Sequence, residues 1–220
     1  MGSGSPRLQA RGASPPEKAS VVLTTEQVVR PLCRARTDEV VVTTMSVVRP
    51  WGNLSQNNLD FASADSAMGH AADFALGIAL AQPERTVVCL NGDGSMLMTL
   101  GTLVTAASVQ ATNLVLFVID NGTYEITGSQ LVPGRGAVDY AGMARAAGFP
   151  RTFTFEDAAA YEDALTDILK GRGPTFVSLR VQPGDQGPIS RSPHETARYL
   201  QVSLEESVAK LRADLGSGSS

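Results

Sequence analysis

The stretch "TVVCLNGDGSMLMTLG", residues 86–101, joins an apolar run to a segment of small and apolar residues through one acid between two glycines. Its continuous apolar part predicts a buried strand over 85–92, and the part that follows predicts a helix over 95–110. A second stretch, "VLFVIDNGTYEITG", has the same layout, with a predicted strand over 113–120 before polar residues and a glycine. Since ligands of open α/β sheets bind beyond the carboxyl ends of strands, we expect the polar groups after both strands to share one ligand.

The rest of the chain continues this alternation of strands and helices. Further strands are predicted over 39–47, 151–155 and 175–181, and further helices over 24–35, 66–82, 138–148, 156–171 and 204–215. Pro31 is expected to kink or restart the first helix, and Gly148 is expected to cap the helix before it. The polar stretch 49–65 is predicted to be a loop. The pattern predicts an α/β fold, a doubly wound and mainly parallel sheet with helices on both faces.

Composition excludes several classes of function. The 220 residues carry a net charge of −4, so no basic field indicates binding to nucleic acid or to an anionic membrane. The two cysteines cannot form a disulfide framework or a four-cysteine cluster, and a reducing cytoplasm is the expected compartment. No apolar run approaches the ~20 residues of a membrane span.

The two ends of the chain differ in composition from the rest. Residues 1–20 are rich in serine, proline and glycine and are predicted to be a disordered lead-in or a remnant of cloning. Residues 216–220 are predicted to be a flexible tail, which leaves one domain over residues 21–215.

The residues around Asp93 predict a magnesium diphosphate site. Gly92 and Gly94 carry no side chain, and the helix that begins near Ser95 offers free N–H groups to an anion. The Asp93 carboxylate would repel a bare phosphate, but a divalent cation between them removes that conflict. Mg²⁺ prefers oxygen ligands and keeps phosphate oxygens in its shell, and Asn121 offers an amide oxygen from the next strand end. A main-chain oxygen near Thr123 completes the expected ligand set.

The two motifs together resemble the cofactor motif of thiamine diphosphate enzymes. "GDGS" is followed, 28 positions after Asp93, by "NG" at Asn121. The stretches 66–95, 120–130 and 171–181 are most similar to the diphosphate-binding domain of sulfopyruvate and phosphonopyruvate decarboxylases. The similarity extends roughly over residues 25–200 and implies the thiamine diphosphate-binding fold.

The resemblance also implies roles for individual residues. Asp93 and Asn121 correspond to side-chain ligands of Mg²⁺, and Thr123 corresponds to the main-chain ligand. Met68 matches the apolar residue that holds the cofactor in its bent form. The remaining cofactor contacts are expected from Ser66, whose carbonyl matches the acceptor of the 4'-amino group, and from Gly69, Gly92, Gly94 and Ser95 near the cofactor and its diphosphate.

The implied activity is the decarboxylation of a small anionic 2-oxo acid, with thiamine diphosphate and Mg²⁺ as cofactors. In the resembled family a second domain supplies a glutamate to the pyrimidine ring, and only 38 residues precede the strand at Glu39. We therefore expect a β-type subunit whose active site is completed by an α-type partner that carries the pyrimidine-binding domain, in a hetero-oligomer.

Several residues have a simpler structural interpretation beside the functional one. Asp93 could cap its helix, and Met68 could be ordinary core. His70 could act in substrate binding or proton transfer, or be a satisfied neutral histidine. Glu125 is expected to face a partner or solvent rather than act as a base. Arg135 and Arg191 could bind an anionic substrate or simply lie on surface loops without a functional role.

Two other functions remain open at the level of sequence. One is the β component of a 2-oxo acid:ferredoxin oxidoreductase, which has a similar "NG…TGSQ" region. The other is a non-catalytic module that binds the cofactor, or only its partner, in regulation or assembly.

Overall fold

The chain folds around one six-stranded sheet in which every pair of neighbouring strands is parallel. The computed structural model describes residues 22–65 and 68–216. The sheet strands are β1 (Val40–Thr44), β2 (Asp60–Ser63), β3 (Val87–Gly92), β4 (Leu114–Asp120), β7 (Arg151–Phe155) and β8 (Thr175–Arg180), and a separate hairpin joins β5 (Thr123–Tyr124) to β6 (Gln130–Leu131). The order in the sheet is β2-β1-β3-β4-β8-β7. The predicted α/β class is confirmed.

Helices cover both faces of this sheet. They are α1 (Thr25–Ala35), α2 (Val48–Gly52), α3 (Ala71–Ala81), α4 (Asp93–Met98), α5 (Gly101–Ser108), α6 (Tyr140–Ala147), α7 (Ala158–Lys170) and α8 (Leu204–Gly216). Successive strand residues point to opposite faces, so Val40 and Val42 of β1 belong to one core and Val41 to the other. Helices α3, α5, α6 and α8 contribute to the first core, and α1 and α7 to the second. Burial on both faces explains why the strands are continuous apolar runs.

The prediction of a loop over 49–65 is wrong. This stretch contains the end of α2 and the whole of β2, which is an edge strand paired with β1. Trp51 is fully buried, and the ring of Phe61 lies 4.5 Å from the ring of Phe74. Short elements of this kind draw their stability from tertiary contacts, which a local reading of polar residues does not capture.

Four predicted elements differ in detail from the observed ones. The helix predicted over 66–82 begins only at Ala71, because residues 68–70 form a turn. Helix α1 begins with the Thr24–Gln27 capping box but runs without interruption through Pro31. The helix predicted over 95–110 is divided into α4 and α5. The strand predicted over 39–47 ends at Thr44 and is followed by a 3₁₀ turn, Met45–Val47.

Other features agree with the sequence or lie beyond what is described. Gly148 caps α6 in the left-handed conformation, as predicted, with φ of 107°. Gly216, assigned to the tail, is the last residue of α8. The predictions for residues 1–20 and 217–220 lie outside the described residues. Within residues 22–65 and 68–216, no helix has both the length and the apolarity that a membrane crossing requires.

Candidate functional site

The loops after β3 and β4 meet at the carboxyl edge of the sheet through the side chain of Asp93. Its Oδ2 accepts a hydrogen bond from Gly122 N at 2.7 Å, and its Oδ1 accepts one from Gly94 N at 2.8 Å. The N-cap of α4 is Gly92, which has no side chain to cap it. Asp93 therefore joins two loops across the sheet and is not the helix cap that the simpler interpretation required.

Asn121 stands beside this contact with its amide held on both sides. Its Oδ1 accepts from Thr123 N at 3.0 Å, and its Nδ2 donates to Glu125 Oε2 at 2.9 Å. Glu125 is only 6% exposed, so the expectation that it faces a partner or solvent is wrong. A buried carboxylate requires hydrogen-bond donors, and Glu125 finds them within its own chain.

Two acidic side chains at this edge favour a cation. The pKa of Asp93 is raised to about 6, chiefly by burial and to a lesser extent by the nearby carboxylate of Asp120, while the N–H groups of Gly94 and Gly122 act in the opposite direction. Burial also raises the pKa of Asp120, against the lowering effect of Arg180, whose Nε lies 3.7 Å from its carboxylate. A divalent cation would neutralise this repulsion.

Two buried hydroxyl groups at the same edge have no hydrogen-bond partner among the residues that the structure describes. Ser95 Oγ and Thr123 Oγ1 are buried and make no hydrogen bond within residues 22–65 and 68–216. Buried hydroxyls are normally paired, so unpaired ones at a ligand-accessible edge indicate groups that a polar ligand would satisfy. Both line the same pocket as Asp93 and Asn121.

The two glycines of the motif have different surroundings: the backbone is closely packed at Gly94 and open at Gly92. A Cβ on Gly94 would lie 2.3 Å from Cε1 of Tyr124, so the tyrosine ring packs directly on the backbone at this point. Around Gly92, by contrast, a Cβ would meet nothing within 4 Å. The side of the loop at Gly92 is thus open to an oxyanion, which fits a diphosphate.

The donor set at this edge consists of oxygens. The described part of the chain contains no group of three His, Cys, Asp or Glu side chains placed to hold a metal ion. A cation here would depend on the Asp93 carboxylate, the Asn121 amide and main-chain oxygens. Oxygen ligands of mixed charge with room for phosphate oxygens suit Mg²⁺.

The remainder of the pocket is lined largely by apolar side chains. Met45, Met68, Met98 and Ile126 line it. Its cavity measures about 50 Å³, well below the ~300–1,000 Å³ of a pocket that encloses a small molecule. A cofactor bound here would need a second wall that residues 22–65 and 68–216 do not supply.

The structure brings most of the predicted cofactor residues together. Met68 is 56% exposed and lines the pocket, and Gly69 lies beside it with φ of 83°. The predictions for Ser66 lie outside the described residues. His70 is not among the residues that line the pocket; its Nδ1 lies 2.6 Å from Asp73 Oδ2 on an exposed part of α3.

Neither candidate arginine lines the pocket. The side chain of Arg191 is 9% exposed and pairs with Asp65, its Nε lying 3.0 and 2.8 Å from the two carboxylate oxygens. Arg191 therefore has a structural role. Its other nitrogens donate to Tyr199 O, Val202 O, Ser207 Oγ and Ala62 O. Arg135 is exposed and packs against Gly122.

The residues that follow β1 belong to the pocket, although they were not predicted from the sequence. Met45 and Ser46 follow this strand and line the pocket, and Met45 adopts a left-handed backbone with φ of 47°. Such a conformation is uncommon for a residue other than glycine and is often found at functional sites. The convergence of parallel strand ends was the signal that could have identified this position.

Comparison with known proteins identifies relatives of the chain. Residues 43–179 match the family model of the thiamine pyrophosphate enzyme, C-terminal TPP binding domain. A phosphonopyruvate decarboxylase from Streptomyces viridochromogenes is 40% identical over 139 residues, which cover 62% of this chain and 34% of that protein. Sulfopyruvate decarboxylase subunit beta from Methanothermobacter thermautotrophicus is 42% identical over 119 residues, which cover 54% of this chain and 60% of that subunit.

A solved structure supports the same relationship. An X-ray structure from Mycobacterium smegmatis, described as a thiamin diphosphate-dependent enzyme, superimposes with a TM-score of 0.63 at 30% identity. The match covers 74% of this chain and 32% of that one. The chain thus spans about a third of the phosphonopyruvate decarboxylase and of this enzyme.

Proposed function

Because the chain belongs to the thiamine pyrophosphate enzymes and contains their C-terminal TPP-binding domain, we propose that it is the cofactor-binding part of a 2-oxo acid decarboxylase. One observation carries the proposal. The hydrogen bond from Gly122 N to Asp93 Oδ2 joins the two loops whose polar residues would have to act on one ligand.

We assign the binding of the cofactor to residues that follow β3 and β4. Asp93 Oδ and Asn121 Oδ1 would bind Mg²⁺, together with the main-chain oxygen of Thr123. The Ser95 and Thr123 hydroxyls, unpartnered within the described part of the chain, would donate to the diphosphate, which the open side of the loop at Gly92 leaves room to approach. The unpaired hydroxyls and the oxygen ligands are the features of this site that fit thiamine diphosphate with its Mg²⁺ ion.

The apolar residues of the pocket would orient the cofactor and exclude water. Met68 would prop its bent form, and Met45, Met98 and Ile126 would form the dry side of the pocket. When bound, thiamine diphosphate supplies the electron sink that allows a 2-oxo acid to lose carbon dioxide. The protein contributes binding, orientation and the low dielectric that strengthens electrostatic contacts.

We propose that a pyrimidine-binding domain outside these residues completes the site, as an α-type partner in a hetero-oligomer. Two observations support this. The cavity of about 50 Å³ is too small to enclose the cofactor. In addition, the described residues that line it include no Lys, Arg or His, although an anionic substrate of the sulfopyruvate or phosphonopyruvate type requires a cation. The partner would supply that cation and the glutamate for the pyrimidine ring.

We propose the cytoplasm as the compartment of the complex. Cys33 and Cys89 are both free thiols, which suits a reducing environment.

Calorimetry of thiamine diphosphate binding, with Mg²⁺ or with EDTA, tests the proposed grip. The chain is titrated alone and with a candidate partner, and carbon dioxide release is followed with phosphonopyruvate and sulfopyruvate. We expect the wild-type chain to bind thiamine diphosphate only with Mg²⁺. The affinity should fall by at least about 100-fold in Asp93→Ala, because a charged ligand oxygen is removed from a buried site.

Asp163→Ala, on the exposed face of α7, is the control and should bind the cofactor normally. Retention of Mg²⁺-dependent binding by Asp93→Ala would show that the proposed site is wrong.

A further inference from the structure

Glu125 is a buried carboxylate that the proposed cofactor contacts leave unexplained. It begins the 3₁₀ turn Glu125–Thr127 immediately after β5 and is 6% exposed. Three N–H groups donate to it: Asn121 Nδ2 at 2.9 Å and Gly184 N at 3.1 Å to Oε2, and Gln186 N at 2.9 Å to Oε1. All three of these donors are neutral, and one of them belongs to a proposed Mg²⁺ ligand.

This arrangement decides which way the Asn121 amide points. The oxygen and nitrogen of an asparagine amide have nearly the same shape, so only the hydrogen-bond network distinguishes the two orientations. A carboxylate accepts and does not donate, so the NH₂ group must face Glu125. The Oδ1 atom then faces Thr123 N–H, on the side of the amide away from Glu125, with a second lone pair free for a cation.

The same carboxylate is held from its far side by the segment that follows β8. Gly184 approaches so closely that a Cβ there would lie 2.7 Å from Glu125 Oε1. Arg49 in turn donates to Gly187 O at 2.9 Å and to Pro188 O at 2.6 Å. The backbone of residues 184–188 is thus fixed between Arg49 and Glu125, which leaves the carboxylate little freedom to turn.

We propose that Glu125 is a positioning residue that holds the Asn121 amide with its oxygen toward the cation site. The inference rests on the proposed function, because it assigns a task to the cation that Asn121 would bind. Residues that orient a metal ligand in this way typically contribute 10–100-fold to metal affinity.

The test measures metal affinity directly, without turnover. Mn²⁺ replaces Mg²⁺, and the free Mn²⁺ signal in electron paramagnetic resonance gives its dissociation constant in the presence of thiamine diphosphate. The full chain is used, with its partner if binding requires it. In Glu125→Gln the side chain offers one acceptor oxygen for three donors, so the Asn121 amide is no longer held in one orientation. We expect Mn²⁺ to bind about 10–100-fold more weakly.

Glu39→Gln is the matched control. Glu39 is also buried, at 8% exposed, and accepts a backbone hydrogen bond from Thr37 N at 2.6 Å. It precedes β1, at the opposite edge of the sheet. Losing a buried glutamate charge there should leave Mn²⁺ affinity within about twofold of the wild type, by the usual independence of distant sites.

A double variant separates positioning from general loss of structure. Both oxygens of an aspartate can bind a cation, so Asn121→Asp needs no orientation, and a glutamine at 125 can donate to it. The variant N121D/E125Q should therefore recover most of the Mn²⁺ affinity that Glu125→Gln loses. The comparison is with the single variant Asn121→Asp, which carries the same added charge. A positioning role predicts equal Mn²⁺ affinity in these two variants, whereas a purely structural role predicts that Glu125→Gln weakens binding in both backgrounds alike.

The outcomes distinguish this inference from the proposed function. If the wild-type chain does not bind Mn²⁺ with thiamine diphosphate, the proposed function fails. If the wild type binds and Glu125→Gln binds equally well, the positioning role is overturned. If Glu125→Gln does not fold, Gly184→Ala takes its place, since its methyl group displaces the carboxylate. Weakened Mn²⁺ binding in that variant supports the role, and unchanged binding overturns it.

Discussion

Two threonine hydroxyls at opposite edges of the sheet are both buried without a hydrogen bond among the described residues. Thr123 Oγ1 and Thr175 Oγ1 are both buried and unpaired among the described residues, at the site and at the start of β8 respectively. A buried hydroxyl without a hydrogen bond costs ~1–3 kcal/mol in protein mutational data. At a ligand-binding site, the hydroxyl is unpaired only in the free protein and gains a hydrogen bond when the ligand binds.

Replacement of each threonine by valine separates stability from binding. We expect Thr123→Val and Thr175→Val to leave the free energy of unfolding of the ligand-free chain unchanged or to raise it by ~1 kcal/mol, since each removes an unpaired hydroxyl. Only Thr123→Val should weaken thiamine diphosphate binding, by about tenfold, equivalent to one lost hydrogen bond. Urea denaturation and calorimetry provide the two measurements. Equal cofactor affinity in both variants would remove Thr123 from the diphosphate contacts.

At the scale of elements, a long irregular segment after β8 is fastened to the short helix α2. Arg49 binds Glu195 through two hydrogen bonds, Nε to Oε2 at 2.9 Å and Nη2 to Oε1 at 2.7 Å. The two side chains are only 20% and 11% exposed, so solvent screens this pair weakly. The hydrogen bonds from Arg49 hold the pKa of Glu195 below its ordinary value.

The lowered pKa determines how this pair depends on pH. A carboxylate with a depressed pKa in the folded state stabilises the fold above its ordinary pKa, ~4.3, and that contribution is lost as the pH falls through the depressed value. We expect Glu195→Gln to lower the free energy of unfolding by ~1.5–3 kcal/mol at pH 7, as for a hydrogen bond between charged groups. The difference from wild type should shrink steadily below pH ~4.

Denaturant unfolding at several pH values provides the measurement for this pair. The control is Glu162→Gln, whose partner Arg34 lies 2.8 Å away but whose pair is 63% and 54% exposed. An exposed pair of this kind contributes at most ~1 kcal/mol. A pH-independent difference for Glu195→Gln would show that the charge of Glu195 is not what stabilises the segment.

At the scale of the whole molecule, apolar side chains are exposed around the incomplete pocket. Met68 and Met98 are 56% and 45% exposed and line it. A second domain that completed the pocket would cover them, and burying a methionine side chain is worth ~1.5–3 kcal/mol.

Met98→Lys should therefore weaken assembly with the proposed pyrimidine-binding partner by about 10–100-fold, while stability of the chain alone changes by less than ~0.5 kcal/mol. Val109→Lys is the matched control, because Val109 is 44% exposed and follows α5, before β4 and away from the pocket. Sedimentation velocity of the mixed chains measures the association. Equal loss in both variants would contradict a partner seated over the pocket.

The sequence by itself determined the sheet class and the two loops that carry the site. Strands such as β3 and β4 are buried on both faces, so their apolar runs are visible without any knowledge of neighbours. The placement of Asp93 and Asn121 directly after these strands follows from the same pattern, because adjacent parallel strands end at one edge. The left-handed cap at Gly148 was likewise a local feature.

The tertiary structure alone decided what depends on partners far apart in the chain. Strand β2 exists through its ladder with β1, and Met45 enters the pocket because β1 lies next to β3 in the sheet. Glu125 is buried because Gly184 and Gln186, 59 and 61 positions away, donate to it. Such contacts are set by the packing order of the strands, which differs from their order in the chain, so no local pattern of residues contains them.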